Sequence, residues 1–187
     1  MMRFRMGAVW LMGLGLGIAG AVAQQQPAPQ GQMGGMDMNA GHANGKPAMP
    51  AGPLKISFGD KSAEWTPEAL AALPHKTVTV HNAHTKADET YSGVPLIDLL
   101  VKLDVPGKPH GKELALYLVA TGSDGYKAVY SVAEVNPDVH DATVIVADGE
   151  DGKPIAADGP LKLVATGETR PARWVRNLVA VQVLQAQ

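Results

Sequence analysis

Three short stretches hold the side chains best suited to chemistry. The first runs Thr169-Arg170-Pro171-Ala172-Arg173-Trp174-Val175-Arg176-Asn177. The chain has five arginines: Arg3 and Arg5 near the start, and Arg170, Arg173 and Arg176 within seven residues. A guanidinium is a planar fork that grips carboxylates and phosphates through two parallel N–H groups, which an ammonium cannot do. The concentration of Arg170, Arg173 and Arg176 here, with Trp174 as a stacking or packing partner, points to a site for a small anionic ligand. The competing reading is structural, with the same arginines pairing to Asp or Glu and tying down the last strand.

The second stretch is His81-Asn82-Ala83-His84. Imidazoles ligate zinc and copper. Residues three apart on a strand point to opposite faces, so His81 and His84 share a metal only where the chain curls between them. Zinc also needs a third and usually a fourth ligand. Asp88, Glu89, His75, His110 and His140 are available, with no spacing that selects among them. The alternative is a pair of loop histidines that hydrogen-bond locally. The third stretch, Ser123-Asp124-Gly125-Tyr126, reads as a hairpin turn. It sets Asp124 and Tyr126 at a loop tip, where ligand contacts concentrate. No serine lies in a G-x-S-x-G elbow, and residues 54–187 contain no G-x-G-x-x-G or Walker sequence.

A further group, Met33, Met36, Met38 and His42, lies in low-complexity sequence. Thioethers and imidazoles suit soft Cu(I), so this tract reads either as a copper-binding tail or as a tether in which methionine is incidental. Residues 24–53 hold 6 Gly and 5 Pro and no Phe, Tyr, Trp, Val or Ile. Such a segment cannot bury enough apolar surface to offset its chain entropy and is expected to be a disordered linker. Before it, Arg3 and Arg5 precede an apolar run from Ala8 to Val22 and an Ala21-Val22-Ala23 cleavage pattern. This predicts a secretory signal peptide over 1–23. The run is short beside the ~20 residues of a membrane span, so the expected product is periplasmic or secreted and not membrane-spanning after cleavage.

Charge and composition narrow the classes. The 187 residues carry 16 Lys and Arg against 18 Asp and Glu; without Arg3 and Arg5 the cations fall to 14. That balance gives no reason to expect nucleic acid or an anionic membrane as partner. There is no cysteine, which excludes disulfides and thiolate-ligated metals.

The elements that must position these groups occupy 54–187. Leu54, Ile56 and Phe58 alternate as in a half-buried strand. Thr66-Pro67-Glu68 opens a short helix with an N-cap, a proline at the first position and an acid against the dipole; Trp65 and Leu70 form a hydrophobic staple and Pro74 ends it. Val78 and Val80 mark a strand, and residues 81–93 read as a loop carrying Asp88 and Glu89. Leu96, Leu99, Leu100 and Leu103 give one helical stripe, with Pro106-Gly107 after it. Strands follow over Leu114–Ala120, Tyr126–Ser131 and Ala142–Ala147, then a polar loop over Gly149–Gly159, a strand from Leu161, and a last one over Leu178–Leu184. The absence of a regular βαβ rhythm argues for a mixed, strand-dominated α+β domain with two or three short helices.

Taken in order, TVTVHNAHT, YSGVPLIDLL, LVATGSDGYKAVYSVAEV and GPLKLVATGETRPARWVRNLVAVQV resemble the molybdopterin-binding domain of the sulfite oxidase family of oxidoreductases. The resemblance covers most of Leu54–Leu184. It implies that family's α+β fold and a pterin cofactor with phosphate-binding arginines, for which Arg170 and Arg173 are the nearest candidates. It also implies a molybdenum-ligating cysteine in the region that is here Val80–His84, which contains His81, Asn82 and His84 and no Cys. The expectation is therefore an exported molybdopterin-binding-like domain, as an oxidoreductase or as a non-catalytic relative, with His81, Asn82, His84, Asp124, Tyr126, Arg170 and Arg173 around the ligand. A binding module for a small anion, or for copper through the Met/His tail, is the alternative. A redox partner is not identified by any of these residues.

Overall fold

The computed structural model describes residues 52–156 and 159–186. The expected leader at 1–23 and the tract with Met33, Met36, Met38 and His42 lie outside the described residues. Strand β1 (Leu54–Phe58) alternates as its sequence requires, with Leu54 and Ile56 fully buried. The chain turns at Gly59, whose φ of 56° lies in the left-handed region that glycine tolerates, into β2 (Lys61–Trp65). Helix α1 (Pro67–Ala71) begins as expected, with Thr66 Oγ1 accepting the Ala69 N–H at 3.2 Å. Next come β3 (Lys76–Asn82), β4 (Ala87–Pro95) and helix α2 (Leu96–Leu100), which runs on as a 3₁₀ turn over Val101–Leu103. The second half holds β5 (Leu116–Gly122), β6 (Lys127–Ser131), β7 (Val144–Glu150), β8 (Lys153–Pro154), β9 (Lys162–Ala165) and β10 (Leu178–Gln185).

Among the described residues these strands form two sheets. One has the order β2-β1-β10-β5-β6; in the other β3, β4 and β7 follow one another, and β8 and β9 both pair with β7. The first sheet is antiparallel except at its centre, where β1 lies parallel to β10 with Ile56 opposite Val181. Strand β5 buries alternate residues along its length, the signature of one covered face, whereas Val144–Ala147 of β7 and all of β9 are buried throughout. A contiguous apolar core results, running from Leu54 through Leu96, Leu100 and Ile145 to Leu163 and Val181. No helix among the described residues is long and apolar enough to cross a membrane.

Two readings of the sequence are corrected here. Residues 87–95, expected as loop and helix approach, are a nine-residue strand between β3 and β7. Its Asp88 and Glu89 sit near the hairpin end, where charge is easily hydrated. Gly93 sits where β7 passes closest: a Cβ there would lie 2.2 Å from the Val146 carbonyl oxygen. Lys61–Trp65, not expected as a strand, pairs on the outer side of β1. An edge strand needs only one covered neighbour, so it carries no strong apolar alternation.

Candidate functional site

The arginine stretch and the Ser123–Tyr126 turn meet. After β9 the chain doubles back, and Leu163 and Val175 exchange both backbone hydrogen bonds, at 2.8 and 3.2 Å. A 3₁₀ turn over Pro171–Arg173 opens on proline, whose fixed φ suits that position. The β5–β6 turn is closed by Asp124 Oδ1, which accepts the Tyr126 N–H at 2.9 Å, and by Gly125 at φ 87°. The Ser123 N–H donates to the Asn177 carbonyl at 3.0 Å, Asn177 Nδ2 donates to Ser123 Oγ at 2.6 Å, and the Tyr126 hydroxyl donates to the Ala172 carbonyl. Asp124 and Tyr126 thus serve the turn and its docking onto the arginine segment. Gly122 is required at this junction, because a Cβ would lie 2.8 Å from the Arg176 carbonyl oxygen.

Arg173 points into a concavity of about 100 Å³ lined by Tyr130, Glu134, His140, Gly167 and Glu168 among others. Its Nε donates to Glu168 Oε1 at 2.9 Å and Nη2 donates to the same oxygen; Nη2 also donates to Glu134 Oε1 at 3.2 Å, and Nη1 to the Val129 carbonyl at 3.1 Å. The guanidinium carbon stands 4.4 Å from the Tyr130 ring centroid. Glu168, and secondarily Glu134, raises the Arg173 pKa against the opposing effect of burial. Burial raises the Glu134 pKa, but the Ser131 N–H and Arg173 outweigh it and hold the carboxyl below its ordinary range. Burial and the nearby Glu168 charge push the Tyr130 hydroxyl up. The Arg170 side chain is exposed and makes none of the side-chain hydrogen bonds or ion pairs found among the described residues; its carbonyl accepts the Ala172 N–H at 2.8 Å.

The histidine stretch forms the β3–β4 hairpin. His81 Nδ1 lies 2.8 Å from Asp88 Oδ1, Asn82 Oδ1 accepts the His84 N–H at 2.9 Å, and Lys86 closes the turn at φ 57°. Both histidines are exposed. Among the described residues no three His, Asp or Glu side chains converge as a metal group. Asn82 faces inward instead: its Nδ2 donates to Glu89 Oε1 at 2.8 Å, an oxygen that also accepts from Thr85 Oγ1 at 2.9 Å.

From Glu89 a network runs into the core that the spacing of the sequence did not reveal. The Tyr91 hydroxyl lies 2.8 Å from both Glu89 Oε2 and Glu150 Oε1 and accepts from the buried Lys162 Nζ at 2.9 Å. The ammonium also stands 4.7 Å from the Tyr91 ring centroid and 5.4 Å from that of Trp174. Trp174 meets Tyr91 edge-on at 5.6 Å and donates its indole N–H to the Ala165 carbonyl at 3.0 Å. Burial, then the two carboxylates, drive the Tyr91 pKa upward. The histidine hairpin and the arginine segment are therefore joined through Asn82, Glu89, Tyr91, Lys162 and Trp174. One signal was present: a lysine within the apolar run Leu161-Lys162-Leu163-Val164-Ala165 must bury its amine against partners.

These residues do not fit a thiolate-held molybdenum. The Val80–His84 region offers an amide committed to Glu89 and two exposed imidazoles, and Arg173 has its donors on carboxylates.

The architecture itself is a mixed α+β domain of the sulfite-oxidase-like class. No family model matches the chain, and no curated protein does. Among solved structures it is similar to the crystal structure of the sulfane dehydrogenase SoxCD from Paracoccus pantotrophus, at 20% identity and a TM-score of 0.57. The match covers 74% of this chain and 40% of that one, so this chain spans less than half of that protein's length. At this identity the likeness shows the fold.

Proposed function

We propose that this chain is an exported, non-catalytic relative of the molybdopterin-binding oxidoreductase domain, working as a binding module through the concavity beside Arg173. The observation that carries the reading is the complete absence of cysteine in a fold whose redox chemistry depends on a thiolate ligand. Two features support it. The position that would supply the thiolate is a hydrogen-bonded hairpin. The segments around the concavity are bonded to each other, the Tyr130 hydroxyl donating to the Arg173 carbonyl at 2.7 Å and the Thr143 N–H to Thr166 Oγ1 at 2.9 Å, so the surface is preformed. Export follows from the leader pattern at 1–23.

The test is metal and pterin analysis of protein purified from its native source. Neither molybdenum nor pterin at a stoichiometric level is the expected result. Both together at one per chain would overturn the reading and make this a molybdoprotein held by other ligands. A second reading, copper capture, is favoured by the clustering of Met33, Met36, Met38 and His42. It predicts stoichiometric Cu(I) uptake that disappears when residues 24–51 are removed.

A further inference from the structure

We infer that Glu134 and Glu168 set the ligand specificity of the concavity beside Arg173: they occupy its guanidinium from within the chain, so the site refuses anions. The inference rests on the choice of this concavity as the ligand site. A guanidinium has five N–H donors. Four are used here: Nε and one Nη2 hydrogen on Glu168 Oε1, the other Nη2 hydrogen on Glu134 Oε1, and one on Nη1 for the Val129 carbonyl. Neither edge of the fork can then offer two parallel N–H groups to a phosphate or carboxylate, the geometry that makes arginine an anion receptor. The guanidinium carbon lies over the Tyr130 ring, 4.4 Å from its centroid.

The charges agree with the geometry. Two carboxylates and one guanidinium line the space, so an entering anion meets an excess of negative charge. His140 Nδ1 is turned to the backbone and accepts the Ala142 N–H at 3.2 Å. Neither carboxylate is a passing surface neighbour. Glu134 is held in a capping box with Ser131: Oε2 accepts the Ser131 N–H at 2.7 Å, and Ser131 Oγ accepts the Glu134 N–H at 3.0 Å. Glu168 follows β9 and keeps only 17% of its side chain exposed. They come from different parts of the chain and converge on one guanidinium. Arg173 is thereby engaged from within the chain, and its bond to the Val129 carbonyl holds the β9–β10 connection against the edge strand β6.

Titration of the full chain with inorganic phosphate, followed by amide NMR shifts over residues 129–142 and 165–174, tests this. The wild type is expected to show no saturable change. Glu134→Gln/Glu168→Gln keeps the shape, removes both charges, and is expected to bind phosphate at least about tenfold more tightly, the scale of one like charge at ion-pair distance near a surface. Adding Arg173→Ala to that variant is expected to abolish the gain. Glu168→Gln alone gives a smaller gain in the same direction and serves if the double variant does not fold, with far-UV circular dichroism reporting the fold. Saturable phosphate binding by the wild type that Arg173→Ala removes, or a folded variant that binds no better than wild type, overturns the inference. Cofactor analysis of native protein reads the binding-module proposal separately, so failure of one is not mistaken for failure of the other.

Discussion

Tyr91→Phe is the sharpest single perturbation of the network that joins the two candidate regions. Phenylalanine keeps the ring, so the edge-on contact with Trp174 and the ammonium over the ring at 4.7 Å both remain. Only the hydroxyl goes, and with it the acceptor 2.9 Å from the buried Lys162 Nζ and the donor for Glu89 or Glu150. The two glutamates are half-buried and can take water in its place; Lys162, at 7% exposure, is poorly placed to do so. A hydrogen bond to a charged group contributes about 1.5–3 kcal/mol. We expect a loss near 2 kcal/mol in urea unfolding, with Tm falling by roughly 6–10 °C for a domain of this size. A double-mutant cycle with Lys162→Met assigns the loss. Because the two side chains are bonded, the double variant should be less destabilised than the sum of the singles by about 1 kcal/mol or more. Simple additivity, or a Tyr91→Phe variant within about 0.5 kcal/mol of wild type, the range of an ordinary surface substitution, would refute the reasoning.

Gly93→Ala should cost about 3 kcal/mol or more, because the added methyl meets backbone atoms of Val146 and Ala147, which cannot rotate away; an unchanged urea midpoint would contradict it. His75 gives a pH signature. Its Nδ1 faces the Leu73 carbonyl at 2.7 Å and its Nε2 faces Asp148 Oδ2 at 3.0 Å, so both neighbours accept, and the doubly protonated ring fits best. The Asp148 hydrogen bond raises its pKa above the ordinary value against the opposing effect of burial. The contribution is thus full below about pH 6.5, the unfolded value, and is lost as pH rises through the raised folded value. Unfolding midpoints from pH 5.5 to 8.5 should fall in the wild type, and His75→Gln should flatten that slope; equal slopes would exclude the pair as its source.

Local patterns in the sequence reported local structure well. The alternation at Leu54–Phe58, the Thr66 cap, the leucine stripe from Leu96 and the Asp124-Gly125 turn all formed as expected. What stayed hidden depends on contacts far apart in the chain. Strand β4 looked like a loop because charge at Asp88 and Glu89 and a glycine at 93 mask its apolar positions, and only the approach of β7 explains that glycine. The Lys162–Tyr91 contact spans 71 residues, and the two glutamates that saturate Arg173 lie 39 and 5 residues from it. The arginine cluster was visible as a cluster, but its role is set by which carboxylates reach it, and spacing does not encode that.

The parallel pairing of β1 with β10 has a consequence for how the chain is made. β10 lies between β1 and β5, so the strand that comes latest in chain order within this sheet is an interior one. Until Leu178–Gln185 has been made, Leu54–Phe58 has only the polar strand β2 beside it, and Leu116–Gly122 only β6. The sheet is sealed by its final eight residues, across more than a hundred residues of intervening chain. A truncation ahead of Leu178 therefore takes away the keystone of the first sheet and not its rim.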